Sequence, residues 1–225
     1  EGQHLAAAYY RNTILHFFIN DAIAELALLK ACEAAGDREA AFWDETFRLR
    51  DILKFEFFFK EKGEFRRSFA AELDVLAPGW REALQNGRAT TVELLKAARP
   101  LTAHGVLRSF VEAYTVVADT LAAHDPSFVD EKKLLVECGA VGRQYLLQKR
   151  IQSEESVSKH LFQTGLQLAK NQKLMETTDN VALRRRAFAA ELRPDACVVL
   201  FGWLGDLDLV VQTAQQTRIG HVRRR

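Results

Sequence analysis

The chain has 225 residues, 48% hydrophobic and 27% charged, with 31 Lys and Arg against 30 Asp and Glu. A formal net charge of +1 gives no reason to expect nucleic acid as a partner, since that function shows a basic excess. The three cysteines, Cys32, Cys138 and Cys197, are far apart, with no CxxC and no signal peptide. They read as reduced structural thiols, neither a disulfide scaffold nor a zinc site.

No stretch stays apolar for the roughly eighteen residues that a membrane-spanning helix needs. The chain starts at Glu1 and runs almost at once into a hydrophobic segment, which we read as a fragment of a longer protein. Residues 2–36 form the first expected helix. Tyr9, Leu15, Phe18, Ile23, Leu26 and Leu29 do not gather into one stripe, and Arg11, Asp21, Glu25 and Lys30 are scattered around the axis. A helix that is hydrophobic on all sides belongs among other helices. Gly36 is its expected stop.

Asp37 is placed to cap a second helix over residues 38–60, with Phe42, Leu49, Ile52, Leu53 and Phe57 on its apolar side. A shorter helix follows over 64–76 and ends at Pro78-Gly79. One or two turns fit 80–86, and a brief helix begins at Thr91. Pro100 suits the first turn of a long helix reaching about residue 123. Its buried stripe is Val106, Phe110, Ala113, Val117 and Leu121. The next helix, 130–150, contains Gly139 and Gly142. Each costs about 1 kcal/mol against alanine in a helix, and close approach of a neighbouring helix would explain them. Ser153 is expected to cap a helix over 154–171, followed by helices over 180–192 and 195–217. No segment alternates as a strand. The expected fold is all-α, a multi-helix bundle around a largely buried N-terminal helix. We expect residues 1–225 to form a single domain, with 152–225 as a possible small subdomain.

Several constellations invite a chemical reading. His16 and Asp21 match H-x4-D, in which a histidine takes a proton from a substrate hydroxyl and an aspartate orients it. Five residues of helix rotate by about 500°, so the two side chains point apart unless the helix breaks. The Phe-Phe-Ile between them is apolar. We therefore read the pair as a decoy, with a half-buried His16 and a local break at Asn20-Asp21. Tyr9-Tyr10-Arg11-Asn12 places a planar guanidinium beside two rings. Arg11 is the candidate substrate-binding residue, as a phosphate or carboxylate clamp; the alternative is an arginine that bonds a carboxylate or helix-end carbonyls.

The Phe55–Phe59 run, flanked by Lys54, Lys60 and Lys62, suits either a membrane-facing patch or a packed core, and Glu56 among the rings favours the core. The Arg184-Arg185-Arg186 and Arg223-Arg224-Arg225 triplets read as solvated or phosphate-facing surface. Residues 150–175 have a faint helix-turn-helix pattern, but few cations on the presumptive reading helix. There is no Gly-rich phosphate loop, GxSxG, HExxH or cluster of metal ligands, so neither a cofactor nor a metal is expected.

Four blocks are similar to one family. AYYRNTILHFFINDAIAELALL resembles the start of the C-terminal region of bacterial-type, membrane-associated glycerol-3-phosphate acyltransferases. Ile52 through Phe59 is similar to a second family block, LLKxEFxF. FVEAYTVVADTL and GRQYLLQKRIQSEESVSKHLFQTGLQLAKN resemble the blocks that follow, in the same order. The resemblance covers most of residues 5–175 and is closest to actinobacterial members.

It implies a helical C-terminal domain of an enzyme that moves an acyl group from acyl-CoA or acyl carrier protein to the sn-1 hydroxyl of glycerol 3-phosphate. That is the first step of phospholipid synthesis, at the cytoplasmic face of the membrane. The family's catalytic His/Asp block and glycerol-phosphate block lie upstream, so no catalytic residue is carried over. The expected partner is the upstream acyltransferase domain of the same protein, with membrane surface contact and no nucleic acid. The alternative reading is a non-catalytic helical module that binds a partner helix or lipid.

Overall fold

A computed structural model describes residues 14–98, 103–125 and 129–192. Among these residues every regular element is helical: α1 (Ile19–Ala31), α2 (Arg38–Leu53), α3 (Lys62–Leu76), α4 (Trp80–Asn86), α5 (Arg88–Ala98), α6 (Ala103–Ala123), α7 (Glu131–Leu147), a single 3-10 turn (Glu154–Ser156), α8 (Lys159–Asn171) and α9 (Val181–Leu192). The all-α expectation holds. Two compact units share the chain. The first takes described residues of 14–49 and 60–106, the second those of 50–59 and 107–192.

In the first unit α1 is buried on nearly every side. Ile19, all residues from Ala22 to Leu29, and Ala31 are covered, including Glu25 at 4% exposure. It packs on α3 and α5. The helix ends at Ala31, with the amide of Cys32 donating to the carbonyl of Leu28, five residues before the glycine expected to stop it. The break upstream also falls elsewhere than expected. It occupies residues 16–18, ahead of Asn20, and leaves His16 exposed instead of half-buried.

An aromatic cluster fills the space beside α2 and α3. Phe42 meets Trp80 at 4.7 Å and Trp43 at 5.1 Å between ring centroids, and Phe65 meets Phe69 at 5.1 Å. Edge and tilted ring pairs of this kind add to the burial energy. The Trp80 Nε1 donates to Asp74 at 2.8 Å, and Arg81 donates to the same carboxylate while lying 4.4 Å over the indole.

Gly79 (φ 80°) and Gly87 (φ 102°) bracket α4 in conformations that side-chain-bearing residues rarely adopt. Asp37 caps α2 as expected, accepting from the amides of Glu39 and Ala40 at 3.0 Å. The next residue, Arg38, donates to the carbonyls of Gln85 and Leu84 at the end of α4. One junction thus serves a helix start and a helix end.

In the second unit α6 is the central rod. Of the predicted stripe, Phe110, Ala113, Val117 and Leu121 are buried here and Val106 is buried in the first unit; Tyr114, Val116 and Ala118 are covered as well. The α7 and α8 helices pack on each other. Gly142 earns its place: a Cβ there would lie 3.1 Å from the Phe162 ring. Gly139 does not, since only the end of the Arg143 side chain comes near. Gly165 on α8 faces α6, where a Cβ would sit 3.0 Å from Tyr114 and 3.1 Å from Val117.

The helix expected over 38–60 stops at Leu53. Its end carbonyl takes the amides of Glu56 and Phe57, and the phenylalanine-rich stretch leaves the helix. Within this unit Phe57 stacks edge-on against Phe110 at 5.2 Å, the Glu56 carboxylate accepts from the Tyr114 hydroxyl at 3.3 Å, and Arg50 lies 5.7 Å over Phe59. These long-range partners outweigh the modest helix preference of phenylalanine.

The expected helix from 154 also splits. A 3-10 turn covers Glu154–Ser156, Ser153 makes no side-chain cap, and α8 begins at Lys159. Arg185 overturns the expectation of a solvated triplet. It is wholly buried, donating from Nε to the Leu174 carbonyl at 2.9 Å and from Nη1 to the Asp125 carbonyl at 2.8 Å, while Arg184 and Arg186 stay exposed. Residues 195–217 and the 223–225 triplet lie outside the described residues. Cys32 and Cys138 are buried free thiols. Burial pushes both upward, Cys138 to about 11.

Two outcomes follow. Gly165→Ala should destabilise the second unit by about 1–3 kcal/mol through overpacking, whereas Gly139→Ala should stabilise it by about 0.5–1 kcal/mol; thermal denaturation of the two variants should therefore shift in opposite directions. In the first unit, burial alone would raise the Glu45 carboxyl, but bonds and charge from Arg48 and Lys30 hold it below the ordinary glutamate value. A depressed folded-state value contributes stability that is complete above the unfolded value and is lost as pH falls through the folded one. Glu45→Gln should flatten that acid limb of a stability–pH curve, and an unchanged limb would refute the assignment.

Candidate functional site

Of the residues singled out by sequence, Arg11 lies outside the described residues. His16 is exposed in the turn before α1, its ring 3.8 Å from that of Phe17. Asp21 is half-buried in the first turn of α1, in a small crevice with Asn20, Ala24, Phe69, Glu72, Leu73 and Leu76. The phenylalanine run divides: Phe55, Phe57 and Phe59 are partly covered, and Phe58 is 96% exposed.

A cleft of about 480 Å³ lies in the second unit between α6 and α7, with Thr120, Ala123, Ala140 and Val141 in its lining. Polar pairs stand around it. The ring Nε2 of His124 is 2.6 Å from the Glu137 carboxylate. The Tyr145 hydroxyl donates to Asp119 at 2.9 Å, Arg150 reaches the same oxygen at 3.3 Å, and the Arg150 guanidinium lies 3.6 Å over the Tyr145 ring. Burial, followed by the adjacent Asp119 carboxylate, pushes the Tyr145 phenol upward. It is thus held as a neutral donor.

A second set of groups anchors the chain after α7. Glu112 on α6, 5% exposed, accepts from the amides of Gln152 and Ser153 at 3.0 Å and from the Ser156 hydroxyl at 2.6 Å. Glu56 accepts from Tyr114 and lies 3.8 Å from His160. These acceptors are engaged by donors of the fold itself. The cleft presents a mainly apolar hollow with paired polar groups at its ends. Among the described residues no group of three or more His, Cys, Asp or Glu could hold a metal ion.

The family model for the glycerol-3-phosphate acyltransferase C-terminal region matches residues 1–178. The chain belongs to that family. It is 43% identical over 197 residues to proteins named "Putative acyltransferase plsB1" from Mycobacterium bovis and Mycobacterium tuberculosis, a match that covers 85% of this chain and 32% of the relative. The chain therefore spans about a third of the length of the curated relatives it matches. No solved structure matches it.

The sequence blocks that carry the resemblance supply most of the groups named above in the second unit; His124 and Glu137 lie between blocks. Glu112, Tyr114 and Asp119 come from FVEAYTVVADTL. Tyr145, Arg150, Ser153, Ser156 and His160 come from the block beginning GRQYLL, and Glu56 from the phenylalanine-rich one. Sequence reasoning singled out none of these acids and tyrosines as a site. A signal was present: polar residues inside otherwise apolar helical blocks need partners.

Glu112→Ala would leave two amides and a hydroxyl without their acceptor. It should cost about 3 kcal/mol of stability in denaturant titration, and Glu112→Gln, which keeps an accepting oxygen, should cost less. Equal stability of Glu112→Ala and the parent chain would remove this anchor from the account.

Proposed function

We propose that this chain is the helical C-terminal part of a longer enzyme that transfers an acyl group from acyl-CoA or acyl carrier protein to the sn-1 hydroxyl of glycerol 3-phosphate. In this reading residues 1–225 belong to one C-terminal domain, which supports an upstream acyltransferase domain and does not itself carry the catalytic pair. The observation that carries the reading is the family match over residues 1–178, together with the 32% share of the relatives that it covers. His16 stands in the turn before α1 and Asp21 in the first turn of α1, so rotation along one helix does not separate the pair, and the reading of it as a decoy rests on the upstream position of the family's catalytic block.

The enzyme would work at the cytoplasmic face of the membrane with this part held peripherally. Among the described residues no helix is long and apolar enough to cross a membrane. Arg11 would meet the substrate's phosphate, for which a guanidinium offers paired planar donors.

The test is product formation from glycerol 3-phosphate and an acyl donor. The full-length parent protein should make lysophosphatidic acid, and residues 1–225 alone should make none. In the parent, Arg11→Lys should raise the apparent KM for glycerol 3-phosphate. Product from 1–225 alone would return His16 and Asp21 to the catalytic role, and a parent with no such activity would overturn the reading.

A further inference from the structure

The turn that precedes α1 has an unusual surface. Ile14, Phe17 and Phe18 are 51%, 71% and 37% exposed, while Leu15 and Ile19 between and beside them are each 5% exposed. The turn is closed by its own backbone: the amides of Phe17 and Phe18 donate to the carbonyls of Ile14 and Leu15 at 3.1 and 2.9 Å. Because Leu15 and Ile19 are committed inward, the other three side chains are left facing out. The remaining large exposed apolar residues among those described, Phe58, Val75, Val136, Leu147 and Leu183, are spread singly along the chain. Scattered exposed apolar residues are ordinary, whereas a cluster signals an interface.

We propose that Ile14, Phe17 and Phe18 dock against an apolar surface of the upstream part of the same polypeptide. The inference rests on the reading given under Proposed function, and it names the surface through which the two parts meet. The comparisons select this occupant: the matched family is described as a C-terminal region, and the chain covers 32% of its relatives, which leaves most of such a protein to lie before it.

The test is hydrogen exchange at the amides of residues 14–18 in the full-length parent protein and in residues 1–225. Exchange there should be slower in the parent by about tenfold or more. The Ile14→Ser/Phe17→Ser double variant, at exposed positions, should leave the thermal midpoint of 1–225 unchanged and should bring exchange in the parent up to that of 1–225. Equal exchange in the two unmodified proteins overturns the docking. So does sedimentation of 1–225 as a dimer that the double variant disperses, which would give the cluster to a second copy. Docking is read from exchange and the acyl-transfer reading from product, so the two fail separately.

Discussion

The second unit is organised around the buried carboxyl group of Glu112, which sits on α6 and takes its hydrogen bonds from the fold itself. Its three donors come from a short stretch between Gln152 and Ser156. Those bonds tie the segment between α7 and α8, with its 3-10 turn, to α6. Gly165 then admits α8 to contact with Tyr114 and Val117 on α6. The same pattern recurs at Glu56 and Asp119, each an acceptor met by a tyrosine from another element.

The first unit depends more on shape than on charge. A helix covered on nearly every side, α1, packs on α3 and α5, and the buried charge of the unit is handled individually. Glu45, at 4% exposure, accepts from both Lys30 and Arg48. Breaking such a pair by removing one partner costs far more than the pair contributes over an apolar replacement. Its presence therefore says more about arrangement than about net stability.

Much of the fold was legible in the sequence. The α6 stripe, the Asp37 cap and the span of α4 follow from periodicity and local chemistry. The errors share a cause. Helix α2 ends early because Glu56 and Phe57 find distant partners. Arg185 is buried because two backbone carbonyls far along the chain meet its guanidinium, whereas Arg184 and Arg186, with the same local signal, stay outside. Gly142 and Gly139 are indistinguishable by position in a helical pattern and differ only in what lies opposite. The cleft around Asp119, Tyr145 and Arg150 was hidden for the same reason, since its geometry is made by pairs of residues 26 and 31 positions apart.

Cys32 and Cys138 have a consequence for handling the protein. Sulfur reacts with electrophiles as the thiolate, and at neutral pH burial keeps both groups almost wholly protonated and shielded. A maleimide would find either sulfur only after the surrounding helices part. Its rate of attachment at these two positions is then a clock for local opening, with the fold itself as the gate.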